Sequence, residues 1–231
     1  MKKINKITIV GGGSAGWMTA AALINRFPDK DITLIEAKNI PTIGVGESTV
    51  QIFRVFTSML GLEDEEWMPK CNATYKLSIN FTNWSGDDKT IQYPFGRGTH
   101  LNKYSPIDWF IYKQDKTIKN HYSYVDFSMG HSELLRQNKF VHDDDNIIGY
   151  DFKDMTGYHL DATLLANYLK NDYSLPRGLN YIQDTIKDVI IDYDGNIKSL
   201  ISSSDGEYEA DLFIDCTGFK SLLLGKTLKV P

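Results

Sequence analysis

The sequence predicts an α/β fold: a βαβ unit on a parallel sheet, a β-meander, and an irregular inserted region. Three observations carry this. First, the apolar run Lys6–Val10 stops at Gly11-Gly12-Gly13, and a helical stretch and a second apolar run, Asp31–Glu36, follow closely. That spacing makes a βαβ unit, and its crossover makes the two strands parallel. Second, the runs Ile186–Tyr193 and Asn196–Ser202 flank Asp194-Gly195, a dipeptide suited to a tight hairpin. Third, residues 84–155 are rich in Tyr, Phe, Trp, Asn and Asp and sustain neither a helical nor a strand period.

The elements follow in order. Ser14–Phe27 reads as a helix rich in Ala, Met and Leu that ends near Pro28. Pro41–Thr49 is a second glycine-bearing loop. The helix after it has Ser48 or Thr49 as its expected cap, one face of Ile52, Val55, Phe56, Met59 and Leu60, and Gly61 at its end. Tyr75–Phe81 alternates, with Tyr75, Leu77, Ile79 and Phe81 opposite Lys76, Ser78 and Asn80, as a half-buried strand does. Asp143-Asp144-Asp145 reads as a solvated loop. Asp161–Tyr173 is amphipathic, with Leu164, Leu165, Tyr168 and Leu169 as its stripe and Asp161 as its cap. Asp205-Gly206 makes a further turn, and Ala210–Cys216 is a buried strand running into Thr217-Gly218. The expected organisation is 1–83, an inserted region 84–155, and a return to the first domain over 156–231.

Composition excludes several classes. The 231 residues are 42% hydrophobic and 24% charged, which rules out disorder and fibrous repeats. The longest nearly apolar stretch, Trp17–Ile24, is too short to span a membrane. No signal peptide opens the chain, and a cytoplasmic location is expected. A net charge of −5 argues against nucleic acid as a partner. Cys71 and Cys216 are too few for a disulfide framework, and His100, His121, His131, His142 and His159 show no ligand spacing, so no metal is expected. No G-x-S-x-G elbow supports a serine nucleophile.

The chemistry begins at Gly11-x-Gly13-x-x-Gly16, placed between a strand and a helix. Gly11 allows the turn, Gly13 lets the backbone approach a pyrophosphate, and Gly16 lets the helix pack close to the strand. Ser14 and Ala15 open the helix, whose free N–H groups and partial positive charge face the phosphates. Glu36, twenty residues after Gly16 and followed by Ala37, is placed to accept hydrogen bonds from ribose hydroxyls. The motif alone leaves FAD and NAD open. Its position at the extreme N-terminus, the meander, and the late strand ending Asp215-Cys216-Thr217-Gly218 favour FAD. They point to a two-dinucleotide-fold class, Rossmann-like and glutathione-reductase-like. No second G-x-G-x-x-G gives an NAD(P)H site.

Five ordered segments are similar to the flavin-dependent tryptophan halogenases: Gly11-Gly12-Gly13-Ser14-Ala15-Gly16-Trp17-Met18-Thr19-Ala20-Ala21, Gly44-Val45-Gly46-Glu47-Ser48-Thr49, Cys71-Asn72-Ala73-Thr74-Tyr75-Lys76, Tyr158-His159-Leu160-Asp161-Ala162, and Asp211-Leu212-Phe213-Ile214-Asp215-Cys216-Thr217-Gly218-Phe219. The resemblance implies an enzyme using FAD as FADH2, O2 and a halide ion to halogenate an aromatic or indole-like small molecule. Hypohalous acid would be held at Lys76, the catalytic lysine. It further implies that Gly46, Glu47 and Ser48 belong to the flavin loop, that Ile186 touches the adenine, and that Tyr93 and Phe95 belong to the substrate site. Tyr93 stands where the tryptophan-acting members tend to carry His, so the substrate expected is aromatic rather than tryptophan in particular. A separate flavin reductase would supply FADH2, and a homo-oligomer is compatible with the sequence. The family's Trp-x-Trp-x-Ile-Pro segment is absent. The chain therefore resembles roughly the first half of such an enzyme, expected on its own to bind FAD weakly and not to halogenate. The alternatives are an FAD-dependent aromatic hydroxylase and a truncated FAD-binding module without turnover.

Overall fold

A computed structural model describes residues 3–39, 46–96, 106–119, 123–128, 132–139 and 156–230. The elements run β1 (Lys6–Val10), α1 (Ser14–Arg26), β2 (Asp31–Glu36), β3 (Gly46–Ser48), α2 (Ile52–Met59), α3 (Asp64–Lys70), β4 (Thr74–Lys76), β5 (Ser78–Thr82), β6 (Thr90–Pro94), α4 (Pro106–Gln114), α5 (Tyr124–Ser128), α6 (Ser132–Arg136), β7 (Gly157–Asp161), α7 (Ala162–Tyr168), β8 (Asn180–Gln183), β9 (Ile186–Ile191), β10 (Ile197–Ser202), β11 (Glu207–Glu209) and β12 (Leu212–Asp215). They form two compact units. One comprises Met1–Glu47, Phe56–Ala73 and Leu160–Pro231, the other Ser48–Val55 and Thr74–His159. The boundary read from the sequence at 83/84 falls inside the second unit, which takes in the strand bearing Lys76.

The first unit is built on a parallel sheet of order β12-β1-β2-β8. Both faces of β1 and β2 are covered, so their sequences are nearly continuous apolar runs. Ile9, Ile32, Leu34 and Ile35 are buried. α1 covers one face with Trp17, Ala20, Ala21 and Ile24, the small alanines allowing a close approach. The meander β9-β10-β11 is antiparallel. Its Ile186 and Leu200 pack with Val10, Ile35 and Leu223 as one core cluster. β8, read from the sequence only as part of a meander, is a parallel edge strand against β2.

Asp161 caps α7 as its sequence position suggests, its carboxylate accepting from the Thr163 and Leu164 amides at 2.8 and 3.0 Å. The helix read over 161–173 changes after Tyr168 into a π-helical stretch, Leu169–Ser174. Gly61 ends α2 with a left-handed φ of +70°, the conformation only glycine adopts freely. The cap expected for α2 is not made: Ser48 and Thr49 are both engaged by other partners, described below. Along its apolar face Ile52, Val55 and Met59 are exposed, while Leu60 is buried.

In the second unit the strand expected over 75–81 divides at Leu77. β4 pairs antiparallel with β7, and β5 pairs antiparallel with β6. The Leu77 carbonyl between them accepts from the Phe95 amide at 2.7 Å, which hands the chain from one pairing to the next. In the inserted region α4 packs on α5 through the ring pairs Trp109–Tyr124 and Tyr112–Phe127. The expectations for residues 40–45, 97–105, 120–122, 129–131 and 140–155 lie outside the described residues. They include Gly44-Val45, the triple Asp, and all the histidines except His159.

Candidate functional site: a glycine-lined cavity and a held lysine

A cavity of about 460 Å³ opens in the first unit where β1, β2 and β12 meet α1. Gly11, Gly13, Ser14 and Ala15 line one side. Glu36, Ala37 and Ile186 line another, and Cys216 and Thr217 close it from β12. The glycines divide the work sterically. Gly11 has a φ of +115°, and a Cβ on it would stand 2.1 Å from the Cys216 carbonyl oxygen. A Cβ on Gly16 would stand 1.9 Å from the Gly11 carbonyl oxygen, so that residue supports the loop from beneath. A Cβ on Gly13 would meet nothing within 4 Å, since that position faces open space. Gly13 precedes α1, no side chain caps the helix there, and its first turn holds no acidic residue. Uncapped amides at a helix start are ready donors to an anion.

Glu36 is held from one side. Its Oε2 accepts from the Tyr181 hydroxyl at 2.7 Å and from Lys170 Nζ at 3.2 Å. Its Oε1 lies toward the glycine loop, 2.2 Å from where a Cβ on Gly12 would be. Sequence reasoning found Glu36 but not Lys170 or Tyr181, which come from the π-helical stretch and from β8. No local pattern announces them.

Asp215, at the end of β12, organises the turn beyond it. Its carboxylate accepts from the Thr217 amide and hydroxyl at 3.0 and 2.6 Å, and from the Leu223 and Leu224 amides at 2.8 and 3.0 Å. Burial raises its pKa, but these bonds outweigh burial and hold it below the usual carboxylate value. Cys216 beside it is pushed upward, chiefly by burial. Cys71, fully buried elsewhere in the unit, is pushed by burial up to about 12. Neither thiol is the activated kind.

The second unit holds Lys76. It ends β4 directly across from Gly157 of β7. Its ammonium donates to Ser48 Oγ at 2.7 Å and to the Thr49 carbonyl at 3.0 Å. Nζ lies 5.3 Å from the centroid of Phe95, which is 2% exposed. Gly157 makes this packing feasible: a Cβ there would be 2.9 Å from the Thr49 carbonyl oxygen and 3.0 Å from Phe95 Cε2. Thr49 is fixed in turn by Tyr158. The Thr49 amide donates to the Tyr158 carbonyl at 2.8 Å, and the Tyr158 amide donates to Thr49 Oγ1 at 2.9 Å. The Arg54 guanidinium donates to the Tyr158 hydroxyl at 2.6 Å. Burial lowers the Lys76 pKa below the ordinary lysine value. Two of the ammonium's three donors are thus committed, and the described residues supply no third acceptor.

The other expected site residues divide. Ser48, read as a flavin-loop residue, serves Lys76. Gly46 and Glu47 are exposed in β3 and do not line the cavity. Tyr93 is 60% exposed on β6, paired across from Ile79, whereas Phe95 is buried beneath the lysine. Sequence reasoning missed Thr49, Gly157 and Arg54, because their roles depend on a strand register that local patterns do not reveal. Among the described residues no group of His, Cys, Asp or Glu could hold a metal ion, and no helix is long and apolar enough to cross a membrane.

Residues 6–231 match the family model described as tryptophan halogenase. The chain is 36% identical over 241 residues to the 7-chloro-L-tryptophan 6-halogenase KtzR of Kutzneria sp. (strain 744), covering 97% of this chain and 46% of that protein. It superposes on apo VirX1 with a TM-score of 0.90 at 41% identity, covering 98% of this chain and 44% of the other. It superposes on Tar14, a tryptophan C-6 flavin-dependent halogenase (chlorinase) from taromycin biosynthesis, with a TM-score of 0.84 at 37% identity, covering 99% and 46%. The chain spans less than half the length of each of these proteins. With a family match running from the first strand to the last residue, the chain belongs to the tryptophan halogenase family.

Proposed function

We propose that this chain carries the FAD cavity and the halogen-handling lysine of a flavin-dependent halogenase acting on an aromatic or indole-like small molecule. The observation that carries the reading is Lys76: a half-buried ammonium held by Ser48 and Thr49 over Phe95, in a chain of this family. The cavity fits a dinucleotide. Open space at Gly13 and uncapped amides at the start of α1 suit a pyrophosphate, Glu36 suits a ribose diol, and Ile186, which lines the same cavity, suits an adenine face. Gly46, Glu47 and Ser48 belong to the flavin loop in this reading. Reduced FAD, when bound, supplies the oxidised halogen from O2 and halide, and a separate flavin reductase supplies the reduced FAD.

The chain's own part is to handle hypohalous acid. The uncommitted N–H of Lys76 donates to the hypohalous oxygen and makes it the better leaving group. Ser48 and Thr49 keep the ammonium from turning away. An aromatic carbon takes the halogen, the H–C bond becomes a halogen–C bond, and the displaced oxygen departs as water with the ring proton. Tyr93, exposed on β6, offers an aromatic face for the substrate ring, while the buried Phe95 floors the lysine.

The test is mass spectrometry of an indole and phenol panel incubated with reduced FAD, O2 and chloride, bromide or iodide. A halide-dependent mass gain supports the reading. A hydroxylated product formed without regard to halide would replace it with an aromatic hydroxylase.

A further inference from the structure

Glu36 reaches the cavity through a carboxylate that is already half occupied. Both donors fall on one oxygen, Oε2: the Tyr181 hydroxyl at 2.7 Å and Lys170 Nζ at 3.2 Å. Oε1 is left facing the glycine loop. The Lys170 ammonium is itself located by rings, 3.7 Å from the centroid of Tyr181 and 5.3 Å from that of Trp17, two rings that lie tilted against each other with centroids 5.8 Å apart. A cation over two aromatic faces, pinned to one carboxylate oxygen, fixes the rotation of that carboxylate. Burial works against the charge on Lys170, but the bonds to Tyr181 and Glu36 outweigh it and raise its pKa.

We propose that Lys170 and Tyr181 are positioning residues that anchor Oε2 of Glu36 so that Oε1 accepts from the 2′-hydroxyl of an adenosine ribose. The inference rests on the reading of the cavity as an FAD site. Without the anchors the carboxylate would share its rotamers between the loop and solvent, and discrimination at the ribose would fall. The ligand class is an adenosine diphosphate moiety with an unmodified ribose.

The experiment is isothermal titration of the native protein with FAD, ADP and 2′-deoxy-ADP, in the parent and in Lys170→Met, Tyr181→Phe and Lys170→Arg. Methionine keeps the stem over the rings and removes the charge. The parent should bind ADP about tenfold more tightly than 2′-deoxy-ADP, a ratio in the range of one charge-assisted hydrogen bond. Lys170→Met and Tyr181→Phe should bring that ratio toward one, and Lys170→Arg should restore most of it. Merely structural damage would weaken both ligands together and leave the ratio intact, and that result overturns the inference. A parent that binds FAD while its variants keep the parental ratio also overturns it and leaves the cofactor reading standing. A parent that binds neither FAD nor ADP overturns both.

Discussion

A lysine on an exposed strand face is a solvated cation, and its amine is protonated across the neutral range. Lys76 differs because the chain around it is shaped to its ammonium. Ser48 and Thr49 give it two oxygens, Phe95 gives it a face, and Gly157 leaves the volume that lets both approach. Burial favours the neutral amine, so its pKa lies below the ordinary value. Labelling with an acylating reagent across a pH series, read at Lys76 by peptide mass spectrometry, should therefore show a midpoint below about 10.4, the free-lysine value. A midpoint at or above it would mean that the amine is solvated. The segment Cys71–Lys76 singles out this lysine in the sequence. Its surroundings were not: Ser48 read equally well as a cap or as a cofactor residue, and only the register of β4 on β7 sets Gly157 opposite Lys76.

At the scale of elements, the turn into α1 makes a sharper statement than its motif. Glycines 13 and 16 look alike in sequence but stand in opposite surroundings. Gly13 has an ordinary φ of −76° and open space where a Cβ would be. Gly13→Ala should change stability by no more than about 0.5 kcal/mol while lowering FAD affinity about tenfold or more, since the added methyl enters the space proposed for a phosphate. Gly16→Ala drives a methyl onto the Gly11 carbonyl and should cost about 3 kcal/mol or more of stability. Thermal unfolding and flavin titration of the two variants separate these effects; equal stability losses would contradict the division of roles. Asp161→Ala should cost about 1 kcal/mol through the lost cap of α7. Elements with a strong local period were legible: β1, α1, β2, α7 and the β9–β10 hairpin. The strand over 75–81 was half legible, because its alternation persists while its partner changes at Leu77, a tertiary event. The exposure of the α2 stripe was not legible, because a period shows where apolar residues stand and not what covers them.

Across the whole molecule, the parallel sheet draws on both ends of the described chain, with β12 beside β1. Asp215 closes that arrangement by accepting four hydrogen bonds at the rim of the cavity. Its pKa is depressed in the folded state, so its contribution is present above the unfolded value near 3.9 and is lost as pH falls through the folded value. Asp215→Asn should be less stable than the parent at pH 6, by about 1–3 kcal/mol, and the gap should narrow below about pH 4. Thermal melts at pH 6 and pH 3 check the sign, and a gap that widens in acid would contradict it. A strand order of β12-β1-β2-β8 was not legible, since nothing local tells a strand which distant strand it will join.

The central claim is that the Lys76 amine handles an oxidised halogen generated with FAD. Comparing the protein at its full native length, rather than this chain alone, with its Lys76→Ala variant under reduced FAD, O2 and bromide decides this, with brominated indole measured by mass spectrometry and FAD affinity by titration. The parent should give a brominated product and Lys76→Ala at least a hundredfold less (about 2.7 kcal/mol of barrier), with the same FAD affinity in both. Undiminished bromination by Lys76→Ala would contradict it.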